Sequence, residues 1–297
     1  MLFVPPHGGE MEIIMITLKN EFLTVQISEL GAEIKSVVYN GTEYMWNGRA
    51  EVWGNTAPIM FPICGGLKND TYTFEGREYH MTRHGFAKWM TFEVEKATDI
   101  SATLLLRSND ETREKYPFDF EFRVSYTLVG NAVEVAFKVD NKSDKTMYFN
   151  VGSHEAYYTP EGIEDYDVIF DKEETLTATS VFGPILGNTS TLLLKDSRVF
   201  PLYDKYFAID ALVFKDGISS RAATLRNRRT GRAVRVDFPD CDHFLLWHKY
   251  AAPFICLEPW NGIADIVGTS YDITEKEGIS TLGIGESYLN THKITFI

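Results

Sequence analysis

The chain has 297 residues, 44% hydrophobic and 13% aromatic, which is ample for a sizeable core in one or two domains. Its formal net charge is −13, from 42 acidic against 29 basic residues. Such a surface repels nucleic acid and anionic membrane, and it disfavours a highly phosphorylated substrate.

In chain order, Met1 to Gly9 shows neither the basic region nor the apolar run of a signal peptide. Regular patterning starts near Ile16, so residues 1–14 are expected to be a poorly ordered extension, with one domain over 15–297. Glu21 to Ser28 alternates like a half-buried strand. Ala57 to Leu67 is apolar but carries Pro58 and Pro62, which forbid a central strand. It is expected to be a buried irregular loop or an edge, either core lining or one wall of a pocket. Ala102 to Leu106 is a short apolar run. Phe120 to Leu128, the turn Gly130-Asn131 and Ala132 to Val139 read as a hairpin.

Further strand signals fall at Met147 to Val151, Val168 to Phe170, Ala222 to Leu225, Ala233 to Phe238, Phe244 to Trp247 and Ile255 to Glu258. The dense basic stretch Arg221 to Arg235 reads as a polar hairpin turning at Asn227 to Gly231. Helical periodicity is scarce, and no run approaches the roughly 20 apolar residues of a membrane span. Short strands separated by turns point to an all-β sandwich in one domain. Cys64, Cys241 and Cys256 sit among apolar neighbours without a Cys-x-x-Cys pair. They are expected to be buried free thiols, which suits a reducing cytoplasm.

Three places could carry chemistry. His84 precedes Gly85 after the strand-like Glu78 to Thr82, and His154 follows Gly152-Ser153 after an apolar strand. Histidine beside glycine at a strand end sits where backbone can approach a ligand. Glu258 ends the apolar Ile255 to Glu258 and precedes Pro259-Trp260. A partly buried carboxylate there has a raised pKa and makes a usable general base. By spacing alone each of the three is better explained by a structural role. The five tryptophans suit either a core or the apolar faces of a sugar. His84, His154 and Glu258 lack the short helical spacing of a metal-ligand set.

Taken together and in order, these motifs resemble the aldose 1-epimerase (galactose mutarotase) family, in its LacX-like branch. The resemblance rests on Glu29 to Glu33, Glu43 to Trp46, Ala57-Pro58 through Phe61-Pro62 to Gly65, and Tyr72 to Gly76. It continues through His84 to Ala87, Gly152 to His154, Leu257 to Trp260 and Lys276 to Glu286. It implies a large antiparallel β-sandwich of the galactose mutarotase type, a free sugar as ligand, and neither metal nor organic cofactor. It implies Glu258 as general base, His154 as general acid, and His84 as the histidine that holds the sugar and polarises its ring oxygen.

The sequence departs from that pattern at three points. Gly66 stands where the family often has an arginine that contacts substrate hydroxyls. Lys88 replaces the usual arginine after His-Gly-Phe-Ala. Glu155 follows His154 in place of proline and would raise the histidine pKa if it faced the site. Candidates for sugar contacts are Trp247, Lys68, Asp242, His248 and Glu155. A non-catalytic sugar-binding protein and a hexose-6-phosphate mutarotase remain as rival readings. The acidic surface and the glycine at 66 weigh against the second.

Overall fold

The structure is a computed structural model that describes residues 14–297. The expectation of an extension therefore lies, apart from Ile14, outside the described residues. Strands dominate, and among the described residues the one α-helix is the short Asp110–Lys115. Asn109 starts it with a capping box: its side chain accepts from Thr112 N at 2.9 Å, and Thr112 Oγ1 accepts from Asn109 N at 2.8 Å.

Most strands join one large antiparallel sheet of 15 strands; a four-stranded sheet, Met15–Lys19 through Thr42–Glu43, and two small ribbons complete the sandwich. The expected hairpin forms as Phe120–Val129 and Ala132–Asn141, with Gly130 at φ 58° in its two-residue turn. Phe120–Val129 alternates buried and half-buried residues along almost its whole length, as a strand with one core face must. Its inward aromatics, Phe120 and Phe122, pack against Phe61 in the main core.

The basic stretch is also a hairpin, Ala222–Asn227 with Ala233–Asp237. Asn227 Oδ1 accepts the N–H groups of Arg229 and Thr230, and Gly231 takes φ 78°. Three of its arginines form local ion pairs: Arg228 with Asp167 at 2.6 Å, Arg235 with Asp237 at 2.7 Å, and Arg229 with Asp165.

The segment 57–67 is buried throughout. Only Ile59–Met60 is strand, pairing at the margin of the large sheet with Val151–Ser153. Its remaining backbone finds partners outside itself. Phe61 O accepts from Phe86 N and Ala87 N, Pro62 O from Asn150 N, and Gly65 O from His84 N. That is how an irregular segment can be buried without orphaned polar groups. All three cysteines are free and buried.

Two elements differ from expectation. The strand bearing Glu258 does not end there; it runs as Phe254–Asn261, buried on both faces. A long hairpin, Tyr166–Phe182 with Ile185–Pro201, extends far beyond the short run at Val168. Its tip, Gly183-Pro184, folds back toward Gly66: a Cβ built on Gly66 would stand 2.5 Å from Pro184. No side chain fits at position 66 while that tip is in place.

Candidate active site

A proline organises the centre of the site. Along Phe254–Asn261 the neighbouring chain is matched twice, as Gly152↔Trp260 and as Glu155↔Leu257. Between these pairs the ladder is interrupted. Carried through the gap, the same register sets His154 opposite Glu258 and Ser153 opposite Pro259. Proline has no N–H to donate across that gap. The indole Nε1 of Trp260 donates to the Ser153 carbonyl instead, at 3.1 Å.

His154 and Glu258 therefore meet on one face of the sheet. Nδ1 of His154 lies 3.5 Å from Oε1 of Glu258. That is a contact at the outer limit of hydrogen bonding, and both atoms are otherwise without partners. Glu258 is 1% exposed and His154 8%. They line a cavity of about 470 Å³, a volume within the usual range of small-molecule sites.

His84 reaches the same cavity from the turn after Arg77–His80. Its backbone is left-handed, φ 68°, and so is that of Gly85. At Gly85 a Cβ would stand 2.2 Å from Phe61 O, so only glycine allows the turn to close on the 57–67 segment. His84 Nδ1 accepts from Gly65 N at 3.1 Å. A neutral ring bound in this way carries its proton on Nε2. The rings of His84 and His154 are 5.5 Å apart, edge to face. Trp53 and Trp247 flank His154 at 5.2 and 5.4 Å, and Trp260 stands 5.6 Å from His84.

Burial governs the proton affinities. It pushes the Glu258 carboxyl well up, with smaller contributions from the nearby charges of Glu155 and Asp210. It pushes His154 down to about 3, helped by Lys88 and Arg83. It also pushes His84 well down, with His154, Lys88 and Arg83 adding to the effect. Burial therefore favours the protonated form of Glu258 and the neutral form of both rings. A carboxyl beside a neutral imidazole holds the same number of protons as a carboxylate beside an imidazolium. The pair thus carries one transferable proton.

The other expected contacts divide. Trp247 lines the cavity. His248 borders it, but both ring nitrogens are engaged, Nδ1 with Phe254 O and Nε2 with Asp204 Oδ1, each at 2.6 Å. No ring nitrogen is left for a sugar. Lys68 is off the cavity wall, with its ammonium 4.6 Å from the Tyr271 ring centre. Asp242 is exposed and also off the wall. Glu155 faces away from the cavity and accepts from His292 Nε2 at 2.9 Å, so it does not raise the His154 pKa by facing the site. Alternation along a strand explains this: the residue after His154 must point to the other side of the sheet.

The sequence reading missed the cationic rim. Arg83 lines the cavity, donating to Gly183 O at 2.5 Å and lying 3.5 Å from Asp210. Lys88 and Lys249 also line it. Burial, then Arg83, brings the Lys88 ammonium down to about 8. The signal for Arg83 was its place immediately before His84. Trp53 was missed because nothing in its local pattern distinguishes it from a core residue.

Nδ1 of His154 or its neighbouring nitrogen, Cys256 Sγ and a Glu258 oxygen lie within 4.8 Å of one another. Cys256 belongs to an apolar cluster with Trp46, Ala156, Ala252 and Phe254, and burial holds its thiol proton on firmly. A thiolate is the form that binds metal. Burial disfavours that form at Cys256.

The model of the aldose 1-epimerase family matches residues 15–271. The chain belongs to the aldose 1-epimerase family. Protein LacX of Lactococcus lactis subsp. lactis is 36% identical over 264 residues, covering 84% of this chain and 88% of LacX. A galactose mutarotase related enzyme from Lactobacillus acidophilus superposes with a TM-score of 0.90 at 37% identity, covering 96% of this chain and 97% of the other. A galactose mutarotase-like protein from Lactobacillus casei gives 0.86 at 28%, covering 95% and 100%. The fold is the antiparallel β-sandwich of the galactose mutarotase type. None of the described helices is long and apolar enough to cross a membrane.

Proposed function

We propose that this aldose 1-epimerase family member interconverts the α and β anomers of a free aldose, with Glu258, His154 and His84 as the catalytic groups. The carrying observation is the His154–Glu258 couple, opposed in register at 3.5 Å on the wall of a sugar-sized cavity. Mutarotation needs one proton taken from the anomeric hydroxyl and one given to the ring oxygen. Transfer of the shared proton from Glu258 to His154 creates a carboxylate base and an imidazolium acid together. Glu258 then takes the anomeric proton while His154 protonates the ring oxygen, and the C1–O5 bond breaks. The open aldehyde rotates about C1–C2 and closes on its other face, with the two proton transfers reversed. His84 Nε2–H steadies the ring oxygen. Each positioned acid or base is worth roughly a hundred- to ten-thousand-fold. Trp53 and Trp247 offer aromatic surface to the apolar face of the sugar.

Polarimetry of freshly dissolved α-glucose and α-galactose tests this reading. Anomer exchange well above the buffer rate is expected. Sugar binding with no acceleration would instead favour the non-catalytic reading. Arg83, Lys88 and Lys249 on the rim favour a second reading, in which the aldose is phosphorylated. A kcat/KM for glucose 6-phosphate at least tenfold above that for glucose would select it.

A further inference from the structure

Directly behind the acid–base couple lies a second histidine–carboxylate pair. Glu155 follows His154 in the chain and is paired in register with Leu257, the residue before Glu258. Its side chain points into the sandwich core, where it is 3% exposed. One oxygen accepts from His292 Nε2 at 2.9 Å, while the other, Oε2, has no partner. His292 comes from strand Ser287–Phe296, is 2% exposed, and leaves Nδ1 unpartnered. The ring of Phe137 packs against it at 5.6 Å.

Each orphan costs free energy and apolar residues fill such space at least as well, so stability alone is a weak reason to keep this pair. This pair leaves two orphans. A protonated His292 would bury an unpaired N–H as well as a charge, which is the costlier choice. A neutral ring that donates from Nε2 leaves the pair with one net negative charge.

We propose that Glu155 and His292 are positioning residues for the reaction, a buried carboxylate and its donor that act through the sheet to keep the transferable proton on the His154–Glu258 couple. This rests on the catalytic reading of that couple. His292 contacts the Glu155 carboxylate, Tyr126 from Phe120–Val129, Tyr157 on its own strand and Cys241 lie within reach of its charge, and so do Cys256 and Glu258 from Phe254–Asn261 on the other side of the sheet. Tyr126 donates its hydroxyl proton to Ala32 O at 2.7 Å, and burial keeps both tyrosines and both cysteines protonated. That leaves the couple in front as the partner whose proton can move. A negative charge behind the couple favours its protonation, and this agrees with the upward push of Glu155 on Glu258.

The test is the pH profile of kcat/KM for Glu155→Gln, read beside a ¹³C-carboxyl titration of Glu258 that needs no turnover. Both limbs of the profile and the Glu258 titration are expected to move toward acid, by about one pH unit. If that variant fails to fold, Glu155→Met with His292→Leu removes the charge and both orphans together, and the same shift is expected. ¹⁵N-imidazole spectra of the unsubstituted protein provide a further check, with His292 expected to carry a proton on Nε2. An unmoved profile and titration in a folded variant would overturn the proposal, as would a His292 Nε2 without a proton. Failure of the catalytic reading itself shows elsewhere, as undiminished turnover in Glu258→Gln.

Discussion

His248 and His154 are both buried, both border the cavity and both stand beside a carboxylate. His248 is held at 2.6 Å on each nitrogen, by a carbonyl and by Asp204. His154 approaches its carboxylate only to 3.5 Å, and neither facing atom has another partner. The first arrangement is complete and fixes a strand end. The second is incomplete and leaves room for a ligand to finish it. On the proposed reading, the satisfied pair belongs to the scaffold and the unsatisfied opposed pair to the chemistry.

The contrast can be broken or sharpened by substitution. The largest effect is expected for Glu258→Gln, a loss of about 10²–10⁴ in kcat with the fold intact by circular dichroism. His154→Asn removes the other half of the couple and should cost a comparable or slightly smaller factor in kcat. His84→Asn should raise KM as well as lower kcat, because a binding donor is lost; an unchanged KM would contradict its holding role. His248→Gln should leave kcat within a fewfold of the parent yet lower stability by about 1–3 kcal/mol, measured by urea denaturation.

Stability should also depend on pH in a defined sense. Native His154 and His84 have lowered pKa values, so the unfolded chain binds protons that the native rings refuse. Stability is expected to fall as pH drops from about 6.5, the unfolded histidine value, toward 3. His154→Asn should flatten that fall. Glu258 acts at the other end. Its raised native value means stability declines as pH rises above about 4.5, where the unfolded carboxyl ionises and the native one does not.

Much of this was legible in the sequence, for identifiable reasons. Phe120–Val129 and Ala132–Asn141 declare themselves through strict alternation around Gly130-Asn131. The prolines of 57–67 correctly exclude a central strand. Pro259 shows where that reasoning stops. Proline reads as the end of a strand, yet here it lies within one, because the adjacent chain offers no ladder bond at that point. The hairpin strand Ile185–Pro201 was invisible because most of its residues are exposed and its pairing carries bulges, which erases any period of two. Among the site residues, His84, His154 and Glu258 converge as expected. Glu155 does not, because strand alternation turns the residue after His154 to the other face, and Lys68 and Asp242 do not, since nothing in a single sequence fixes the direction a loop side chain takes. The glycine at 66 has its physical reason in Pro184, distant in sequence, which occupies the space above it.

The most direct measurement is two-dimensional exchange NMR at the anomeric protons of glucose and galactose at neutral pH, with and without the protein and with Glu258→Gln alongside. The expected result is strong cross-peaks between the α and β signals that require the protein and are lost with Glu258→Gln. Equal exchange with and without the protein, or undiminished exchange with Glu258→Gln, would contradict the assignment of Glu258 and His154 as the couple that opens the sugar ring.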